Sequence, residues 1–121
     1  MPLNRVTIYA KDVEAMVRFY ETHFEFEALR LPGDRIVELV SKDGGANLMF
    51  DPAAKSQKIG QVIVKLVFDV EDVEAFCRRA AERGLQFGPI HKADGYEFAN
   101  AKDPGQNSIA VSSRAFRRTG G

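Results

Sequence analysis

Asp-Val-Glu-Ala occupies Asp12–Ala15 and recurs at Asp72–Ala75, 60 residues further on. The pattern around the phrase repeats with it. Apolar residues follow the first copy at Val13, Met16, Val17 and Tyr20, and the second at Val73, Phe76, Cys77 and Ala80. That is the i, i+3, i+4, i+7 spacing of one helix face. Extended runs precede both copies, Arg5–Ala10 and Val62–Val70. The chain therefore reads as one strand–helix unit used twice, and internal repetition of this kind dictates architecture.

Working outward, Asp12 and Asp72 are good N-caps, and Glu14 places negative charge in a first turn, where the helix dipole favours it. The first helix is predicted to run to about Thr22, followed by strands over Phe26–Leu31, Arg35–Ser41 and Ala46–Phe50. Pro32-Gly33-Asp34 and Lys42-Asp43-Gly44-Gly45 supply the turns. The second copy predicts a helix over Asp72–Arg83 stopped by Gly84. Strands over Leu85–Ile90, Gly95–Ala99 and Ser108–Ser112 follow, with the last turn at Asp103-Pro104-Gly105-Gln106-Asn107. The expected organisation is one domain over residues 1–121, with modules at 4–51 and 61–113, a linker at 52–60 and a fraying basic tail at 114–121. Its class is α+β: two βαβββ modules forming a curved, eight-stranded mixed sheet, an open barrel with the helices outside. The face of each sheet away from its helix must then meet water, a ligand or the other module.

Bulk properties narrow the function. The 121 residues suffice for one compact core, and Lys+Arg and Asp+Glu balance at 17 each, so no net field favours nucleic acid or an anionic membrane. The aromatic residues track the two cores rather than a basic groove, which also argues against nucleic acid. The single cysteine, Cys77, lies on an apolar helix face and forms no disulfide within the chain. No apolar signal core or membrane-length run is present, so the sequence predicts a soluble cytoplasmic protein. No glycine-rich phosphate loop occurs, and Ser108, Ser112 and Ser113 lack a matched histidine and acid for a nucleophilic triad.

Several stretches together resemble the vicinal oxygen chelate superfamily, which includes glyoxalase I, extradiol dioxygenases and bleomycin-binding resistance proteins. They are Val6–Tyr9 followed by Lys11-Asp12-Val13, Phe19-Tyr20 in the first helix, the repeat at Val70–Ala75, and Asp103-Pro104 before the last strand. One departure is local: the family's Leu-Gly-Phe at the end of the first helix is Phe24-Glu25-Phe26 here. The resemblance implies a homodimer and a ligand cavity between the modules. It also implies four metal-ligand positions, which fall at Arg5, Asn47, Lys65 and Ala110. Arginine and a charged lysine do not ligate a divalent cation, and alanine has no donor. The expected site is therefore metal-free, with no cofactor. His23 and His91 share no ligand spacing that would restore one.

Alternation assigns Arg5, Thr7, Tyr9, Asn47, Met49, Lys65, Val67, Ser108, Ala110 and Ser112 to the inner face. Their neighbours Val6, Ile8, Leu48, Phe50, Leu66, Phe68, Ile109 and Val111 face the helices. The candidate ligand-binding residues are Arg5, Thr7, Tyr9, Asn47, Met49, Lys65, Ser108 and Ala110. The 60-residue offset makes Arg5 and Lys65 pseudo-symmetric and predicts that they approach each other at the cavity floor. Three readings stay open for them: an internal carboxylate, Glu38 or Glu97, neutralises them; they await an anionic ligand; or long stems carry the charges to solvent. The functional expectation is binding of a small anionic metabolite or drug. The alternatives are a glyoxalase-like lyase or isomerase with displaced or absent metal ligands, moving protons through Glu97, His91 or Tyr9, and a regulatory or dimerisation domain with a vestigial cavity.

Overall fold

The computed structural model describes residues 1–58, 60–61 and 64–117. Its order is β1 (Arg5–Ala10), α1 (Val13–Phe24), β2 (Phe26–Leu29), β3 (Val37–Ser41) and β4 (Asn47–Pro52). Then come β5 (Lys65–Asp69), α2 (Val73–Glu82), β6 (His91–Lys92), β7 (Glu97–Lys102) and β8 (Ser108–Ser112), and a 3-10 turn over Arg114–Phe116. The fold is α+β. Its eight strands form two four-stranded mixed sheets, neither closed into a barrel: sheet A, ordered β1-β4-β3-β2, and sheet B, ordered β5-β8-β7-β6. In each, the strand before the helix pairs in parallel with the fourth strand, β1 with β4 and β5 with β8, and the other pairings are antiparallel. Contacts divide the chain into two compact units, Met1–Gln61 with Pro104–Gln106, and Val62–Asp103 with Asn107–Gly121.

The repeat shows in atomic detail. Asp12 and Asp72 each accept a hydrogen bond from the backbone three residues on, Ala15 N and Ala75 N, both at 3.0 Å. Each bond satisfies a donor that the first helical turn would otherwise leave without a partner. α1 buries Met16, Val17 and Tyr20 against its sheet. Tyr20 is the centre of an aromatic cluster, 5.6 Å from the Phe50 ring and 6.0 Å, edge-on, from Phe26. α2 packs against β7, burying Val73 and Ala80, and Phe76 meets Phe87 edge-on at 6.0 Å.

The helices end differently. Gly84, at φ 94°, donates to Ala81 O, and Leu85 donates to Ala80 O, closing a Schellman turn over two buried side chains, Ala80 and Leu85. At the end of α1 the left-handed position is filled by Glu25, at φ 58° and ψ 35°, whose N–H reaches Tyr20 O. A Cβ in that region carries a steric cost that glycine avoids.

Four expectations need correction. Leu85–Ile90 forms no strand; only Gly88 N bonds β7, at Asn100 O, because Pro89 has no N–H with which to continue a ladder. The sixth strand is instead His91–Lys92, paired with Phe98 and Glu97. β7 runs on from Ala99 to Lys102, and α1 reaches Phe24. In the tail, Arg114 is held rather than frayed: it donates to the Tyr96 hydroxyl at 3.0 Å, with Arg117 5.6 Å from the same ring. Part of the strand expected over Val62–Val70, Val62 and Ile63, lies outside the described residues, as do tail residues 118–121.

Candidate functional site

Pleating decides which side chains share the open face of each sheet. In β1, Arg5, Thr7 and Tyr9 are exposed while Val6 and Ile8 are half-buried and Ala10 is buried. The register places Arg5 beside Asn47 and Thr7 beside Met49, with Glu38 opposite Met49. The five residues expected in the first module, Arg5, Thr7, Tyr9, Asn47 and Met49, therefore share one face of sheet A. In sheet B, Lys65 stands beside Ser108 and Val67 beside Ala110, so the expected Lys65, Ser108 and Ala110 share a face too. Ala110 is buried at 2% exposure and offers no polar atom.

Arg5 has a partner. Its Nε donates to Glu38 Oε2 at 3.2 Å, and Asn47 Nδ2 donates to the same oxygen at 3.0 Å. Asn47 Oδ1 in turn accepts from Ser41 N at 3.1 Å, which fixes the amide's orientation. Farther along this face, Asp51 is buried and accepts from Arg35 Nε at 3.1 Å. Of the two carboxylates expected as neutralisers, Glu38 fills that role for Arg5. Glu97 does not join Lys65: on β7 it alternates with Phe98 and Asn100, in phase with the fully buried Ala99.

Lys65 donates to the side-chain oxygen of Asn100 at 2.8 Å and stands 5.9 Å from the centre of the Phe98 ring. Among the described residues no carboxylate pairs with it. Phe98 also meets His91 across the β6–β7 pair, ring centres 5.0 Å apart and tilted by 32°. Lys102 lies on the same rung, opposite Ser108, and donates to Ser108 Oγ at 2.8 Å.

Sequence reasoning missed Asn100 and Lys102 because the strand was ended at Ala99, which left both between it and the turn that begins at Asp103. The signal was present: Phe98, Asn100 and Lys102 alternate with Ala99 and Ala101 up to Asp103-Pro104. Cys77 is half-buried, and burial pushes its thiol above the ordinary range, which suits a packed side chain rather than a nucleophile.

The four positions at which the resemblance implies metal ligands are a poor fit for a cation. Arg5 and Lys65 are positive, Ala110 has no donor atom, and Asn47 is spent on Glu38 and Ser41. Among the described residues, no group of three or more His, Cys, Asp or Glu side chains is placed to hold a metal ion. No helix among them is long and apolar enough to cross a membrane.

The sequence model of the Glyoxalase/Bleomycin resistance protein/Dioxygenase superfamily matches residues 3–111, and the chain belongs to that superfamily. Among solved structures, it is similar to TnmS3, an antibiotic binding protein from Streptomyces sp. CB03234, with TM-score 0.76 and 22% identity over 92% of this chain and 93% of that one. UcmS2 superposes with TM-score 0.79 at 18% identity, over 93% of this chain and 98% of the other. Lactoylglutathione lyase from Agrobacterium tumefaciens gives TM-score 0.69 and 23% identity, over 92% of each chain. At these identities the likeness speaks for the fold. No curated protein matches the sequence.

Proposed function

We propose that this chain is a metal-free small-molecule-binding protein that holds an anionic metabolite or drug against the open faces of its sheets. The observation that carries the reading is the chemistry at two symmetric strand positions. Where superfamily enzymes present metal ligands, this chain presents Arg5, offset by the Glu38 carboxylate at 3.2 Å, and Lys65, held at 2.8 Å by the neutral Asn100 amide with no carboxylate paired to it among the described residues. Neither cation ligates a divalent metal ion, and the unneutralised Lys65 ammonium attracts an anion. The similarity to an antibiotic binding protein is consistent with sequestration. The protein acts as a cytoplasmic homodimer in this reading.

Two measurements test it. Elemental analysis of protein grown with Zn, Ni, Mn and Fe supplements is expected to find well under one metal per chain. A thermal-shift panel of neutral, cationic and anionic small molecules is expected to raise the melting temperature with anions. A stoichiometric transition metal, or turnover of a glutathione hemithioacetal, would instead make the chain a lyase of the glyoxalase type. A silent panel would leave it without a ligand-binding role.

A further inference from the structure

Corresponding positions of the two sheets carry different charge. The registers match Arg5 with Lys65, Asn47 with Ser108, Met49 with Ala110 and Glu38 with Asn100. One step beyond the Leu39–Leu48 pair, Val40 takes the place that Lys102 holds in sheet B. On the open face of sheet A one guanidinium thus meets one carboxylate from the neighbouring rung, and the pair is neutral. The equivalent rung of sheet B holds two ammonium groups, Lys65 and Lys102, on either side of Ser108, with Asn100 on the next rung and no carboxylate paired to either lysine among the described residues.

Two lysines on one rung, a strand apart on either side of Ser108, have Cα atoms separated by about 9–10 Å, within reach of a shared anion. Each ammonium has three N–H groups and spends one, on Asn100 Oδ1 or Ser108 Oγ. Asn100 uses its side-chain oxygen, which leaves its amide N–H groups available as donors. Negative charge placed between the lysines would relieve their mutual repulsion. Next to this cluster, one step back along β7, the half-buried Phe98 ring lies against His91 and within 5.9 Å of Lys65 Nζ.

We propose that the open face of sheet B is a subsite for an aryl oxyanion. The ligand's carboxylate or phosphate group sits between Lys65 and Lys102 above Ser108, and its ring packs on Phe98 and His91. This rests on the small-molecule reading above and narrows it to one sheet and one ligand class. Arg5, already neutralised by Glu38, contributes little.

The test is calorimetric titration of the full chain with 2-naphthoate, 2-naphthyl phosphate, 2-naphthalenemethanol and inorganic phosphate. Both aryl anions are expected to bind, with the alcohol and inorganic phosphate each about tenfold weaker or more. The tighter of the two aryl anions identifies the head group. Lys65→Met and Lys102→Met are each expected to weaken binding about tenfold and to flatten its salt dependence, while Arg5→Met changes it less than about twofold. Both lysines are exposed, and circular dichroism checks that the variants are folded. Aryl anions binding the double lysine variant as tightly as wild type would overturn the subsite, as would equal affinity for the alcohol. Silence from all four probes would overturn it as well. The broader reading would fall only if the neutral, cationic and anionic thermal-shift panel were silent too.

Discussion

The two repeats differ in where their bulk lies and in how their open-face charge is met: Glu38 neutralises Arg5 in the first, whereas Lys65 and Lys102 have no carboxylate paired to them among the described residues of the second. Tyr20, fully buried, corresponds to Ala80, 60 residues on. Phe50 corresponds to Val111, and Leu39 to Ala101. On the open faces, Glu38 corresponds to Asn100. One backbone plan therefore serves a unit whose charges are satisfied within the sheet and a unit whose charges look outward. Duplication fixes where side chains point; substitution decides what each face does.

The comparison can be broken at its core first. Tyr20→Ala removes the ring on which Phe26 and Phe50 pack and is expected to cost ~3–5 kcal/mol in urea unfolding, as for other large buried aromatics. The equivalent Ala80→Gly should cost only about 1 kcal/mol, chiefly through helix propensity. Equal losses would mean that the second core is as large as the first.

Exchanging the two acceptors sharpens the electrostatic contrast. Asn100→Glu gives sheet B the neutraliser of sheet A and is expected to weaken naphthyl phosphate binding about tenfold. Glu38→Gln leaves Arg5 with a neutral acceptor and is expected to give sheet A a measurable, salt-sensitive anion affinity. Calorimetry reads both.

The helix ends give a smaller effect of opposite sign in the two units. Glu25→Gly is expected to stabilise the protein by about 0.5–1 kcal/mol, relief of the left-handed strain exceeding the added chain entropy. Gly84→Ala, at φ 94° in the second unit, should destabilise it by about 1 kcal/mol. Chemical denaturation of both variants measures the pair.

Smallest is the surface pairing of the first-turn glutamates. Glu14 receives both Arg30 nitrogens at 2.8 Å, whereas its counterpart Glu74 meets Arg78 at 3.8 Å. The Arg30 hydrogen bond holds the Glu14 carboxyl below its usual range. A lowered folded-state value means stability present at neutral pH and lost as pH falls through the carboxylate range, near pH ~4. The melting-temperature gap between wild type and Glu14→Gln should therefore close in acid. It should also shrink in 1 M salt, because the pair is solvent-exposed and screened.

Much of this was legible in residue spacing. The offset of the two Asp-Val-Glu-Ala phrases gave both caps, both helices and the correspondence of Arg5 with Lys65, because caps and periodicity are local physics. Alternation put the eight expected residues on one face of each sheet, since a strand leaves only two choices, but it did not show that Ala110 is buried there. What escaped depended on partners distant in sequence. Glu38 and Glu97 were equal candidates until register separated them, and Pro89 moved the sixth strand to His91–Lys92. Asn100 and Lys102 were hidden by a misplaced strand end.

The five-residue turn joining β7 to β8 carries a responsibility out of proportion to its size. Asp103, 2% exposed, accepts from both Asn107 N and Asn107 Nδ2, and Asp103 N donates back to Asn107 O. That clasp sets the alignment by which Lys102 meets Ser108. A one-residue slip of the β7–β8 pairing would put Lys102 and Ser108 on opposite sides of the sheet. The proposed subsite would then be lost with none of its own residues altered, so the turn's hold on alignment enters that proposal alongside side-chain identity.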